Sequence, residues 1–137
     1  MVGIVIVTHG RLAEELVMVT ADIVGQARGL VAVCINRDYA VEDARKDIEK
    51  AIKNVDEGDG VIIFTDMFGG TPSNLGLSFL EEGKTEVIGG VNLPMVIKAS
   101  MSREEKGLKD LAFFIKEYGE KSISLASEIL SIKSRKK

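Results

Sequence analysis

The sequence holds a single histidine, His9, set in IVIVTHG where an apolar run gives way to Gly10. Imidazole can serve as nucleophile, proton carrier or metal ligand, and its neighbours decide which. A second stretch, VIIFTDMFGGTPSN, puts Asp66 directly after another apolar run and follows it with Gly69, Gly70 and Thr71. A carboxylate that accepts from Nδ1–H fixes the imidazole tautomer, leaves the Nε2 lone pair outward, and stabilises positive charge building on the ring. Gly10, Gly69 and Gly70 would let backbone N–H groups approach a ligand, and Thr71 adds a hydroxyl donor at a helix start with its positive dipole end. Such a set suits a dianionic phosphoryl group beside a nucleophilic histidine. Taken singly, a strand-end histidine reads as a surface residue, and GGTP as an ordinary turn and helix start. Only a scaffold that brings them together gives the set its meaning.

That scaffold is written in short β-branched runs at 2–7 (VGIVIV), 30–35 (LVAVCI), 61–64 (VIIF) and 87–88, each apolar on both faces as buried parallel strands are. Helical patterns separate them. Leu12, Leu16, Val19 and Ile23 make one stripe, and Val41, Ala44, Ile48, Ile52 and Val55 a second. TPSNLGLSFLEEG opens with Thr71 as N-cap and Pro72 at the first helical position, and closes at Gly83. Helices are predicted over 93–102 and 106–118, a short strand over 121–127 (KSISLAS) by alternation, and a last helical turn in EILSIK. The pattern βαβαβαβ predicts an α/β three-layer sandwich, a mostly parallel sheet with right-handed crossovers and helices on both faces. In a sheet of order 2-1-3-4, His9 and Asp66 stand at the carboxyl ends of neighbouring strands, at the switch point where such folds bind ligands. Residues 57 apart in sequence can therefore meet.

Bulk properties narrow the chemistry. A chain of 137 residues, without repeats or a linker, fits a single domain over 1–137, with a basic tail at about 133–137 that reads as solvated. A net charge of −3 gives no electrostatic reason to expect nucleic acid. Cys34 is alone, so neither an intramolecular disulfide nor a thiolate metal cluster forms, which suits a reducing cytoplasm. No run approaches the roughly 18 apolar residues of a membrane span. A receiver domain would need an acidic pair where Thr8, His9 and Gly10 stand; a histidine phosphatase or a two-imidazole metal site would need a second histidine. The sequence also lacks G-x-x-x-x-G-K-[ST], so no ATP loop is present.

IVIVTHGRLAEELV, VIIFTDMFGGTPSNLGLSFL and EVIGGVNLPMV, in that order and spacing, resemble the IIA component of the mannose type of the bacterial sugar phosphotransferase system. The resemblance runs from residue 2 to about residue 100 and weakly over KSISLAS. It implies that His9 accepts a phosphoryl group on Nε2 from the histidine-containing carrier protein and passes it to the IIB component. Asp66 would orient the ring, and Gly70 and Thr71 would meet the phosphoryl oxygens. No metal or cofactor enters this scheme, and contact with the membrane IIC and IID components would run only through IIB. The resemblance further implies a homodimer in which the final short strand, here KSISLAS, is exchanged antiparallel between subunits. Phe68, with Leu93, Pro94 and Met95, is expected to offer an apolar rim to partner proteins, or else to pack as ordinary loop residues. Arg11 could pair with phosphate, steer an acidic partner, or simply be solvated at a helix start. Two other readings share the site: the phosphocarrier subunit of dihydroxyacetone kinase, and a regulatory IIA protein uncoupled from a transporter.

Overall fold

In the computed structural model, which describes residues 1–26 and 28–131, the apolar runs pair as one parallel sheet. β1 (Gly3–His9), β2 (Leu30–Ile35), β3 (Val61–Thr65) and β4 (Thr85–Gly89) lie in the order β2-β1-β3-β4, as the sequence predicts. Parallel neighbours need crossovers, and these supply the helices that cover both faces. They are α1 (Leu12–Val24), α2 (Val41–Val55), α3 (Thr71–Leu77), α4 (Leu93–Ser102), α5 (Leu108–Lys121) and a short α6 (Ala126–Ser131).

A strand sends successive side chains to opposite faces, and β1 uses both. Ile4 and Ile6 join Ile62 and Phe64 in a core closed by Ala13 of α1, Val96 and Ala99 of α4, and Leu111 and Ile115 of α5. Val5 and Val7 join Val33, Ile35 and Ile63 against Ala44, Ile48 and Val55 of α2 and Leu75 of α3. Each buried Val, Ile, Leu or Phe among them contributes about 1.5–3 kcal/mol, so the two central strands tolerate polar groups only at their tips. At the tip of β1 the alternation continues. Thr8 falls on the α1 side, where its buried hydroxyl accepts from Ala13 N at 2.7 Å. His9 falls on the other side, toward α3.

That hydrogen bond also sets the rotation of α1, with a result the helical spacing does not predict. Ala13 and Thr20 are buried, while Leu12, Val19 and Ile23 are 47%, 39% and 58% exposed and Leu16 is half-buried. With Ala13 drawn inward at the first turn, the stripe of large residues is turned to the flank. α3 departs as well. Its N-cap is Gly70 rather than Thr71, Thr71 and Pro72 fill the first two helical positions, and the helix ends at Leu77 instead of Gly83. There Ser78 N, Phe79 N and Leu80 N turn to the carbonyls of Leu75, Gly76 and Leu77, a tightening that ends the α-helix.

The final strand expected over 121–127 is not formed. Lys121 closes α5, and Ala126 already opens α6, which leaves 123–125 in neither helix nor strand. The alternation of Ile123 and Leu125 fits a strand, yet a strand without a ladder leaves its backbone groups to water, whereas a helical turn pairs them. The turn expected in EILSIK is present over 128–131 in α6, which begins earlier at Ala126, while 132–133 lie outside the described residues. Ile123, Leu125, Ile129 and Leu130 remain exposed, and the basic tail at 133–137 lies outside the described residues.

Thr8→Val should lower stability by about 1–2 kcal/mol, because it keeps the shape but leaves Ala13 N buried without an acceptor. Thr8→Ser, which keeps the acceptor, should lose less. Urea unfolding midpoints of the two variants check this; equal loss in both would remove the hydrogen bond as the cause.

Candidate functional site at the carboxyl end of the sheet

β1 and β3 pair with Val7 opposite Thr65, so His9 and Asp66 leave adjacent strands at nearly the same level. Their side chains meet. His9 Nδ1 lies 2.8 Å from Asp66 Oδ2, and the same oxygen accepts from the backbone N of His9 at 2.9 Å. Asp66 Oδ1 accepts from Met67 N at 3.1 Å. With three contacts the carboxylate has little freedom, and it is the more enclosed of the pair: its side chain is 14% exposed against 52% for His9. A carboxylate only accepts, so the neutral ring carries its proton on Nδ1 and turns a free lone pair outward at Nε2.

Nε2 stands over the turn that starts α3. A Cβ placed on Gly70 would come within 3.4 Å of Nε2 and 3.3 Å of Cε1, and Gly70 has φ +88°, which L side chains rarely adopt. Both facts restrict this position to glycine. Gly69 precedes it in the same turn, and Thr71 follows as an exposed residue at the first helical position. Gly10 N donates to Ile35 O at 3.0 Å, tying the tip of β1 to the end of β2. His9, Gly10 and Thr71 line a cleft of about 520 Å³. Its other lining comes from Ile35, Asn36, Arg37, Tyr39 and Val41.

The remaining candidates scatter. Phe68 is 78% exposed beside the site, with its backbone resting on Gly89, and its neighbour Met67 is 53% exposed. Leu93 and Pro94 are half-buried. Met95 does not stand on the surface with them: it is 3% exposed, and its thioether lies where a Cβ on Gly119 would be, 2.5 Å away. Asn92 causes this. Its Oδ1 caps Met95 N at 3.0 Å and its Nδ2 donates to Gly119 O at 3.2 Å, so α4 is drawn against α5 with Met95 between them. Arg11, the N-cap residue of α1, donates to Glu14 Oε1 at 2.8 Å, and this hydrogen bond raises its already high pKa. Arg11 is thus engaged along its own helix.

Five residues in three places escape a motif reading. Thr8 orders the start of α1 through its hydroxyl, and the sole sequence cue was a polar residue closing an apolar strand. Met67 extends the exposed apolar pair MF in an otherwise polar turn. Asn36, Arg37 and Tyr39 belong to the loop after β2, which the carboxyl-end rule for parallel sheets could have flagged.

A family model described as "PTS system fructose IIA component" matches residues 3–116. The PTS system fructose-specific EIIA component of Bacillus subtilis (strain 168) is 30% identical over 131 residues, covering 95% of this chain and 90% of that protein. The PTS system mannose-specific EIIAB component of Escherichia coli (strain K12) is 31% identical over 109 residues; these cover 76% of this chain and only 32% of that longer protein. Among solved structures, the phosphotransferase system component EIIA from Streptococcus agalactiae superposes with TM-score 0.84 at 23% identity, covering 93% and 99% of the two chains. The mannose/sorbose-specific IIA subunit from Enterococcus faecalis gives TM-score 0.81 at 23% identity, covering 90% and 93%. The fold is therefore shared with IIA structures, and the match along nearly the whole sequence places this chain in the fructose- and mannose-type IIA family of the sugar phosphotransferase system.

Proposed function

We propose that this chain is a single-domain cytoplasmic phosphocarrier of sugar uptake, in which His9 takes a phosphoryl group from the histidine-containing carrier protein and gives it to a IIB component. The observation that carries the reading is the His9 Nδ1 to Asp66 contact at 2.8 Å, with the half-exposed ring offering Nε2 above Gly70. In the forward step the Nε2 lone pair attacks the donor's phosphorus. The donor's P–N bond breaks, and its electron pair returns to the donor ring nitrogen. His9 keeps its Nδ1 proton throughout, so the ring becomes cationic as the new P–N bond forms, and Asp66 stabilises that charge. Transfer to IIB reverses these roles. In this reading Gly70 and the hydroxyl of Thr71 meet the phosphoryl oxygens, and alignment with such donors is most of what this transfer needs. Gly10 and Gly69 keep the approach open. The EIIAB relative supports IIB as the acceptor. The sugar stays with the membrane components, reached only through IIB, because His9 never meets it. Among the described residues no helix is long and apolar enough to cross a membrane.

Exposed Phe68 and Met67 form the apolar rim on which both partners would rest, without Met95. We further infer a homodimer. Beyond the antiparallel bridge of Thr85 with Glu81, no strand pairs with the outer edge of β4 among the described residues, and exposed Ile123, Leu125, Ile129 and Leu130 follow α5, which packs beside that strand. An apolar set of this size left exposed among the described residues favours association.

Incubation with enzyme I, the carrier protein and phosphoenolpyruvate should label the chain with acid-labile phosphate, and His9→Ala should abolish the label. Label persisting in that variant would sink the mechanism. Asp66→Asn should slow charging by about two orders of magnitude, since an amide N–H facing Nδ1 selects the wrong tautomer, while circular dichroism stays unchanged. Charging at the normal rate would remove Asp66 from the chemistry. Sedimentation should give about twice the chain mass of 14.8 kDa, and Ile123→Asp with Leu125→Asp should shift it to the monomer. A wild-type monomer at micromolar concentration would overturn the dimer.

A further inference from the structure

A phosphoryl group on Nε2 brings about two negative charges close to the carboxylate of Asp66. Thr71 and backbone N–H groups offer donors there but no charge, so a cation lining the cleft would add neutralisation that they do not supply. Arg11 is spent on Glu14 and does not line the cleft. Arg37 lines it together with His9, Gly10 and Thr71, and it is the only cationic residue in that lining. No ion pair of Arg37 occurs among the described residues. Its backbone is held while its side chain is exposed. Tyr39 N donates to Asn36 O at 3.1 Å, closing a turn with Arg37 at its second position. The hydroxyl of Tyr39 donates to Asp47 on α2, and the Gly10 to Ile35 bond fastens the base of the loop to the tip of β1. A cleft of about 520 Å³ has room for a phosphoryl group, a guanidinium and a partner's imidazole together.

We propose that Arg37 contacts the phosphoryl oxygens of phosphorylated His9 and is the cation that neutralises the group as it arrives and leaves; this rests on the phosphocarrier reading. A guanidinium presents parallel donors that match two phosphoryl oxygens, while Asp66 holds the far side of the ring. Arg37 makes and breaks no covalent bond.

The test charges the full-length wild type, Arg37→Gln and Arg37→Lys with the carrier protein. It reads the charging rate, the lifetime of the phosphohistidine once the carrier is removed, and its phosphorus NMR shift. Arg37→Gln should charge about tenfold or more slowly, change the lifetime and move the resonance, and Arg37→Lys should recover part of each. Wild-type rate and lifetime in Arg37→Gln overturn the inference alone. So does slow charging with an unaltered lifetime and resonance, which would make Arg37 a contact of the carrier and not of the phosphoryl group. If Arg37→Gln is unfolded by circular dichroism, Arg37→Lys decides on the same readouts. A wild-type chain that takes no label on His9 overturns the phosphocarrier reading first, before any variant is compared.

Discussion

Asp66 Oδ2 accepts from both the backbone N–H and the ring Nδ1 of His9, and through that one oxygen the strand tip, the ring orientation and the tautomer are set together. The backbone bond holds the end of β1 at the start of the loop after β3. The ring bond then uses a carboxylate whose other oxygen is already occupied by Met67 N. Because Asp66 is largely enclosed, its contact with the ring is screened less by solvent than a surface pair would be. His9 remains half-exposed, so the fixed side of the ring is inside and the reactive side is outside. The same arrangement in reverse, a buried Nε2 and a free Nδ1, would present the nucleophile next to the backbone, where a partner protein could not reach it.

This geometry is available only because the sheet is parallel and ordered β2-β1-β3-β4. Parallel neighbours put equivalent ends side by side, and the opposite winding of the chain from β1 and β3 leaves a crevice between the loops that follow them. Strand alternation divides the labour at the tip of β1: Thr8 turns to α1 and secures its first turn, and His9 turns to the start of α3. Gly70 completes the fit, since any side chain there would press on the imidazole edge that must stay open. A one-residue slip of β1 would exchange Thr8 and His9 between the faces and dismantle both arrangements.

Strands, alternating helices and polar strand tips were legible in the sequence because each rests on a strong local signal, and the order 2-1-3-4 expected of such a βαβ pattern then brought His9 to Asp66. Apolar runs on two-sided strands, their separation by helical patterns, and polar residues at their carboxyl ends require no knowledge of packing. What was illegible depended on contacts between elements. The rotation of α1 follows from a hydroxyl on β1, not from the spacing of Leu12, Leu16, Val19 and Ile23. Met95 reads as a loop residue beside GGVN until Asn92 links α4 to Gly119 and buries it. KSISLAS alternates as a strand would, but alternation supplies no hydrogen-bonding partner. Arg37 lies in a loop without a motif, and its place beside His9 becomes visible only when β2 is seen to flank β1.

The two ends of the sheet treat charge in opposite ways, and the contrast accounts for where reactivity can arise. At the amino end, Arg103 is 3% exposed, with its guanidinium donating to the carbonyls of Gly29, at 2.9 Å, and Arg28. Burial pushes its pKa down, with Glu104 partly opposing that shift, and its donors are consumed in fastening the end of α4 to the turn before β2. Arg28 in turn pairs with Glu57 at 3.6 Å. The contacts of Arg103 and Arg28 hold the chain there, and a ligand would have to break them to use those two groups. At the carboxyl end the commitments stop at Asp66. The Asp66 contact on Nδ1 leaves Nε2 of His9 open, and Thr71 and Arg37 line the same cleft, with Arg37 in no ion pair among the described residues, so a ligand there need not first displace such a partner.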